Sequence, residues 1–200
     1  KAFDVKFQTR NNEEEFVWAT SWGVSTRLIG AVILTHGDDK GLRLPPKIAP
    51  IQLVIIPITR NDEHEKQLRE YIEPITKLMK QSKIRVYEDW TKNSPGFKFN
   101  YWEMKGIPLR MEVGPRDIKE QEVILVRRDE KEKLSISIDN ALEKVQTLLD
   151  EIQSNLFNQA YEFRNRNTHV VDAYDDFKKI IQSGGFVRCG WDGNPQTEAK

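Results

Sequence analysis

Ile51-Gln52-Leu53-Val54-Ile55-Ile56-Pro57-Ile58 is the stretch that decides the fold. It is almost continuously apolar and rich in β-branched side chains. That is the pattern of a strand covered on both faces in a parallel or mixed sheet. Downstream, strand and helix signals alternate. Residues 63–81 place Leu68, Ile72, Ile75 and Met79 on one helical stripe, with Pro74 expected to kink the helix. Ile84–Tyr87 is a strand, Pro95–Lys105 a short helix and Pro108–Val113 another strand, and Glu122–Arg127 and Leu134–Ile138 complete the set. This β-α-β-α-β order predicts an α/β domain with a mixed sheet.

Upstream, Leu44-Pro45-Pro46-Lys47-Ile48-Ala49-Pro50 is a stiff, non-helical linker and the best domain boundary in the chain. Before it lie an alternating strand from Ala2 to Phe7, a charged turn at Asn11–Glu15, a second strand at Phe16–Trp18, and a helix ending near Gly37–Gly41. Downstream, Ile138, Leu142, Val145, Leu149, Ile152, Leu156, Ala160 and Phe163 recur at spacings of three and four. A coiled coil and a helix packed on its own domain both fit that spacing, and the shortness of the run favours packing. Val171–Ser183 is a second amphipathic helix around Tyr174, Phe177 and Ile181, ended by Gly184-Gly185, and Phe186–Cys189 is a strand.

Charged residues make up 31% of the 200 and hydrophobic ones 38%, the composition of a soluble globular chain. No apolar run approaches the ~20 residues that span a bilayer, and no signal-peptide pattern opens the sequence. The lone Cys189 excludes an internal disulfide framework and fits a reducing, cytoplasmic setting. The start at Lys1 and the polar stop at Gln196–Lys200 fit a fragment. Net charge is zero, so there is no global basic footprint for nucleic acid. Locally, Thr76–Lys119 holds ten Lys or Arg against five Asp or Glu, interleaved with Phe97, Phe99, Tyr101 and Trp102. Cations and aromatic faces together suit unstacked RNA bases and their phosphates; a solvated face beside a core helix fits the same composition.

Two stretches carry candidate chemistry. In Thr20-Ser21-Trp22-Gly23-Val24-Ser25-Thr26-Arg27, Gly23 permits a tight turn and close ligand approach, and Arg27 brings a planar cationic fork to the start of a helix. A nucleotide site and an ordinary capped helix start both fit. In the run from Ser94 to Asp117, Phe99 and Glu103 lie four apart on one helix face, Arg110 leaves the next strand, and Arg116 follows the Gly114-Pro115 turn. A carboxylate accepts from N1 and N2 of guanine, an arginine donates to O6 and N7, and an aromatic ring offers a stacking surface. Together these make a guanine reader. Plainer readings keep Phe99 in the core, pair Arg116 with Asp117, and bridge Glu103 to Lys98 or Lys105.

These two runs, with His36-Gly37-Asp38 and Leu44-Pro45-Pro46, resemble the prolyl-tRNA synthetases of the archaeal and eukaryotic type, within the class II aminoacyl-tRNA synthetases. The similarity extends from Phe3 to at least Cys189 and concerns that family's C-terminal part. The resemblance implies three parts. Residues 1–44 end an antiparallel-sheet catalytic domain and carry its third motif. Residues 45–150 form an α/β anticodon-binding domain with a mixed five-stranded sheet. Residues 151–200 start a small α+β C-terminal domain, cut short, which in the family often binds zinc.

The resemblance further implies that Arg27 is the catalytic arginine on the γ-phosphate of ATP. Thr20, Trp22, Gly23, Ser25, Thr26 and His36 then line the ATP and aminoacyl pocket, His36 from a loop. Thr26 stands where the wider class often has an acidic residue. Phe99, Glu103, Arg110 and Arg116 match the anticodon contacts, and proline anticodons carry two guanines. The implied activity is ATP-dependent attachment of proline to tRNA(Pro), with Mg²⁺ accompanying ATP, in a cytoplasmic homodimer that touches neither membrane nor DNA. This chain alone is expected to be inactive, because the first two class motifs are absent. A non-catalytic tRNA-binding module is the alternative. Cys189 matches a first zinc-ligand position, but it is the only cysteine, and His36, His64 and His169 fall in separate segments, so no zinc is expected here. His64 is expected at the surface.

Overall fold

The structure, a computed structural model, describes residues 3–59, 62–130 and 132–198. Ala2, where the first alternation was expected to begin, and the stop at Lys200 lie outside the described residues. The chain divides into two compact units, one up to Ala31 and one from Val32 onward.

In the first unit, β1 (Lys6–Gln8) and β2 (Glu14–Phe16) form an antiparallel hairpin. The Thr9 hydroxyl closes its turn by accepting from the backbone N–H of Asn11 at 3.3 Å and of Glu13 at 3.2 Å. The second strand is therefore earlier than the expected Phe16–Trp18. The Val17 N–H still reaches the Val5 carbonyl at 3.1 Å, but Trp18, past the end of the pairing, is fully exposed. Residues 17–25 are irregular, and α1 (Arg27–His36) opens where the Ser25 hydroxyl accepts from the Arg27 N–H at 3.4 Å.

The second unit is built on β3 (Leu53–Pro57), α2 (Asp62–Gln81), β4 (Val86–Glu88), α3 (Pro95–Met104), β5 (Leu109–Val113), α4 (Pro115–Glu120), β6 (Glu122–Arg127), β7 (Lys133–Ser137) and α5 (Ala141–Arg166). Its sheet is mixed and five-stranded, ordered β4-β3-β5-β6-β7. β3 runs parallel to β4 and β5, whereas β6 is antiparallel to β5 and β7. Every residue of β3 is buried, as its unbroken apolar run requires. Leu53 and Ile55 face the larger core with Leu68, Ile72 and Met79 of α2 and Leu148, Ile152 and Leu156 of α5. Val54 and Ile56 face a smaller core with Ile107, Phe99 and Trp102. Period-two alternation thus sends one strand's side chains to helices on both faces.

Helix α2 continues unbroken through Pro74. α4 was not foreseen. It forms because Gly114 precedes Pro115 at the first helical position and the Asp117 carboxylate accepts from the Gly114 N–H at 2.6 Å. α5 packs on its own domain through Ala141, Val145, Leu148, Leu149, Ile152 and Leu156, and beyond them Phe163 is exposed. β8 (Thr168–Val170) pairs in parallel with β9 (Phe186–Arg188) around α6 (Tyr174–Ser183), and α7 (Pro195–Glu198) follows. Among the described residues no helix is long and apolar enough to cross a membrane.

The Leu44–Pro50 linker is non-helical, as its prolines dictate, yet it is docked. Pro45, Pro46 and Ala49 are buried. The Arg85 guanidinium donates to the carbonyls of Ala49 and Pro46, both at 2.7 Å. The N–H groups of Leu42 and Leu44 donate to the carbonyls of Met104 and Gly106, both at 3.0 Å, which lays the segment along the end of α3.

Candidate nucleic-acid interface

Helix α3 carries half of the candidate reader. Ser94 caps it, its hydroxyl accepting from the Phe97 N–H at 3.3 Å, and Pro95 occupies the first helical position. A buried polar cluster pins the helix to the sheet. Lys98 Nζ donates to the Asp89 carbonyl at 2.8 Å, and the Asp89 carboxylate accepts from Trp102 Nε1 at 2.7 Å and the Thr91 hydroxyl at 2.6 Å. Burial alone would raise the Asp89 carboxyl, but the bonds from Thr91 and Trp102 hold it below its ordinary value.

With α3 fixed, Glu103 and Arg110 line one pocket of about 190 Å³, together with Trp102, Lys40, Arg128 and Lys133. Arg110, early in β5, gives Nε and Nη2 to Glu112 Oε1 at 2.9 and 2.8 Å. Its guanidinium lies over the Phe99 ring, 4.4 Å from the centroid. Glu112 engages two donors, leaving others of the guanidinium's five for a ligand. Half-buried Phe99 therefore serves both readings: it packs on the small core and holds a ring against the arginine. Glu103 pairs with Lys40 at 3.6 Å. Neither expected bridge is made: Lys98 turns inward to Asp89, and Lys105 lies over the Tyr101 ring.

Arg116 stands apart. It is exposed on α4, pairs with Glu120 at 3.0 Å rather than with Asp117, and does not line the pocket. Besides Lys40, three further contributors escaped the sequence reading. Arg128, 4% exposed, forks onto Asp38 at 2.8 and 2.6 Å and gives Nε to the Glu103 carbonyl at 2.9 Å. Arg127 is held by Asp129 at 3.1 and 2.9 Å and by Glu151 at 3.0 Å. Lys133 reaches Glu112 at 3.5 Å. The Arg127-Arg128 pair closing an apolar strand was the available signal; partners up to ninety residues away were not.

The first stretch has a different character. Thr20, Trp22, Gly23, Ser25, Thr26 and Arg27 are all exposed, and a Cβ at Gly23 would meet nothing within 4 Å. His36 is not a loop residue but the last residue of α1, its carbonyl accepting from Arg43 Nε at 2.6 Å. Burial, then the Arg43 charge, lowers its imidazole's proton affinity. It borders a cavity of about 650 Å³ with Arg43, Gln159 and Phe163. His64 is half-buried rather than at the surface. Cys189 is exposed, and the described residues hold no group of three His, Cys, Asp or Glu side chains that could bind a metal.

Residues 52–148 match the family described as the anticodon binding domain, which spans the five-stranded sheet and the start of α5. The chain is similar over its whole length to proline–tRNA ligases. It is 49% identical to the Phocaeicola vulgatus enzyme across 99% of its residues. Identity is 46% to that of Porphyromonas gingivalis and 44% to that of Symbiobacterium thermophilum, each across 100% of the chain. The chain spans only 40%, 41% and 42% of these three relatives' lengths. All three are bacterial proteins, so the archaeal and eukaryotic assignment finds no direct counterpart among them.

Proposed function

We propose that the chain is the C-terminal part of a proline–tRNA ligase, and that its five-stranded domain reads the anticodon of tRNA(Pro). One observation carries the proposal: Glu103 and Arg110 face the same pocket, with Phe99 against the arginine. A guanine entering there would give N1–H and N2–H to Glu103 and receive donors from Arg110 at O6 and N7. Arg116, on the exposed α4, would meet RNA outside this pocket. We assign residues 1–44 to the end of the catalytic domain, 45–150 to the anticodon-binding domain, and 151–200 to the start of a C-terminal domain. That order, together with the Ser94–Asp117 run, supports the archaeal and eukaryotic type.

In the intact enzyme Arg27 would hold the γ-phosphate of ATP and stabilise pyrophosphate as it leaves. Thr20, Trp22, Gly23, Ser25, Thr26 and His36 would border the adenosine and proline sites. Arg27 suits this role, being exposed at the opening of α1. Mg²⁺ would accompany ATP, held chiefly by its phosphates and water. The intact protein would be a cytoplasmic homodimer acting on proline, ATP and tRNA(Pro).

Binding of the chain to anticodon stem-loops with both guanines, and with each replaced by adenine, tests the reader. Glu103→Gln and Arg110→Ala should each cost ~1–3 kcal/mol per lost base contact. Equal binding to all loops sinks the proposal. A non-catalytic tRNA-binding module is the second reading, favoured by the open setting of Trp22 and Arg27. Proline-dependent ATP–pyrophosphate exchange by the intact protein separates the two.

A further inference from the structure

The turn from Asp38 to Gly41 ends the His36-Gly37-Asp38 motif, and the guanine contacts leave it unexplained. It closes on itself: the Asp38 N–H donates to the Gly41 carbonyl and the Gly41 N–H to the Asp38 carbonyl, both at 3.0 Å. The Lys40 N–H donates to Asp38 Oδ1 at 2.9 Å, so the carboxylate organises its own turn. The turn is seated against the last residue of α3. Gly41 has φ +125°, and a Cβ there would come within 2.5 Å of the Met104 carbonyl oxygen. Two side-chain routes then run from this turn to Glu103. Asp38 holds both terminal nitrogens of buried Arg128, whose Nε bonds the Glu103 carbonyl at 2.9 Å. Lys40 pairs with the Glu103 carboxylate itself at 3.6 Å.

We propose that Asp38 and Arg128 are positioning residues for anticodon reading: through them the Asp38–Gly41 turn sets the placement of Glu103, and with it the discrimination for guanine. The inference rests on the proposal that Glu103 reads a guanine. Its physical basis is the position of Glu103 in the final turn of α3, where helix ends fray and the Glu103 carbonyl accepts from the Gly106 N–H at 3.0 Å rather than from a further helical turn. An arginine on that carbonyl adds a charged second donor beside the Gly106 N–H and complements the negative end of the helix. Arg128 alone would be a buried cation on a flexible stem. The Asp38 fork fixes its plane, and a planar fork has few alternative geometries. Lys40, 3.6 Å from Glu103 Oε1, opposes the carboxylate's repulsion of incoming phosphates.

The test compares two anticodon stem-loops, one with guanines and one with inosine in their place, which lacks only the N2 amino donors. The wild-type chain should favour the guanine loop by about tenfold, the lower part of the range for a lost base contact. In Asp38→Asn and Arg128→Lys, the ratio of the two dissociation constants should fall to twofold or less. Lys in place of Arg128 keeps the charge but cannot bridge both partners. Arg128→Ala should behave likewise where circular dichroism shows it folded; if it does not fold, the two milder variants decide. A preserved tenfold ratio in folded Asp38→Asn and Arg128→Lys overturns the assignment, even if both affinities fall together. Wild-type binding that already ignores the N2 amino group would instead overturn the guanine reading itself.

Discussion

Replacing Asp38 by Asn keeps the volume of the side chain and removes its charge. Two charge-assisted bonds to Arg128, at 2.8 and 2.6 Å, then lose their anionic acceptor. Arg128, with its side chain 4% exposed, is left as a buried cation bonded chiefly to a carbonyl. Breaking a fully buried pair costs about 3–5 kcal/mol, and a single charge-assisted bond is worth about 1.5–3 kcal/mol. Asp38 is 33% exposed, so water reaches the vacated side and reduces the loss. We expect Asp38→Asn to destabilise the chain by about 2–3 kcal/mol at pH 7. With a slope of ~2 kcal/mol/M, the urea midpoint should fall by ~1 M. The pH dependence gives a second check. The hydrogen bond from Arg128, more than any other interaction, holds the Asp38 carboxyl well below its ordinary value of 3.8. A depressed carboxyl contributes stability above that ordinary value and loses it as pH falls through the folded value. The difference between wild type and Asp38→Asn should therefore be constant from pH 7 to about 5 and shrink below about 4. A variant within ~0.5 kcal/mol of wild type at pH 7, or a gap that widens on acidification, would refute the reasoning.

Two further substitutions probe the scaffold. Gly41→Ala should cost about 1–3 kcal/mol from the left-handed backbone alone; the contact of its Cβ with the Met104 carbonyl adds to this, and thermal unfolding should show a clear drop. Asp89→Asn removes the anion that binds Lys98, Trp102 and Thr91, Asp89 and Lys98 themselves being 4% exposed. A loss of about 3 kcal/mol is expected, read from urea unfolding followed by tryptophan fluorescence. A loss under ~1 kcal/mol would show that α3 does not depend on that cluster.

The sheet was legible because its signals are local. An apolar octapeptide at Ile51–Ile58 and the stripe of Leu68, Ile72, Ile75 and Met79 report their burial through periodicity alone, and the sheet confirms them. α4 was missed because six residues hold too little periodicity, although Gly114-Pro115 with Asp117 is a start signal. β8 was missed because Thr168–Val170 is held by pairing with a strand about eighteen residues later, a non-local cause. The same divide runs through the candidate site. Phe99 and Glu103 share a helix face, and Arg110 sits on the next strand, so three of the four proposed contacts were placed by local rules. Arg116 was linked to them by sequence proximity, but Arg110 sits near the start of β5 and Arg116 beyond its end, on α4 and outside the pocket. Asp38 and Arg128 could not be paired in advance, since nothing local marks two residues ninety positions apart as partners.

The charge balance of the pocket leads to one more expectation. Five cations line it, Lys40, Arg110, Arg127, Arg128 and Lys133, which counted by formal charge suggests strong, salt-sensitive RNA binding. Their partners say otherwise. Arg128 is neutralised by Asp38, Arg127 by Asp129 and Glu151, and Arg110 by Glu112. Those carboxylates are tied into the fold and stay in place when RNA binds, so the three arginines release few counterions. Lys133, 61% exposed, and Lys40, 51% exposed, hold looser pairs at 3.5 and 3.6 Å and are free to swing to phosphate. Two phosphate contacts correspond to a slope of about −1.4 for log K against log salt on a single-stranded loop. Lys133→Ala should reduce the slope's magnitude by ~0.7, whereas Arg127→Ala should leave the slope nearly unchanged while lowering stability. If Arg127→Ala instead flattens the salt dependence as much as Lys133→Ala, the arginine's carboxylates do not hold it. The pocket would then bind RNA by bulk charge rather than by reading its bases.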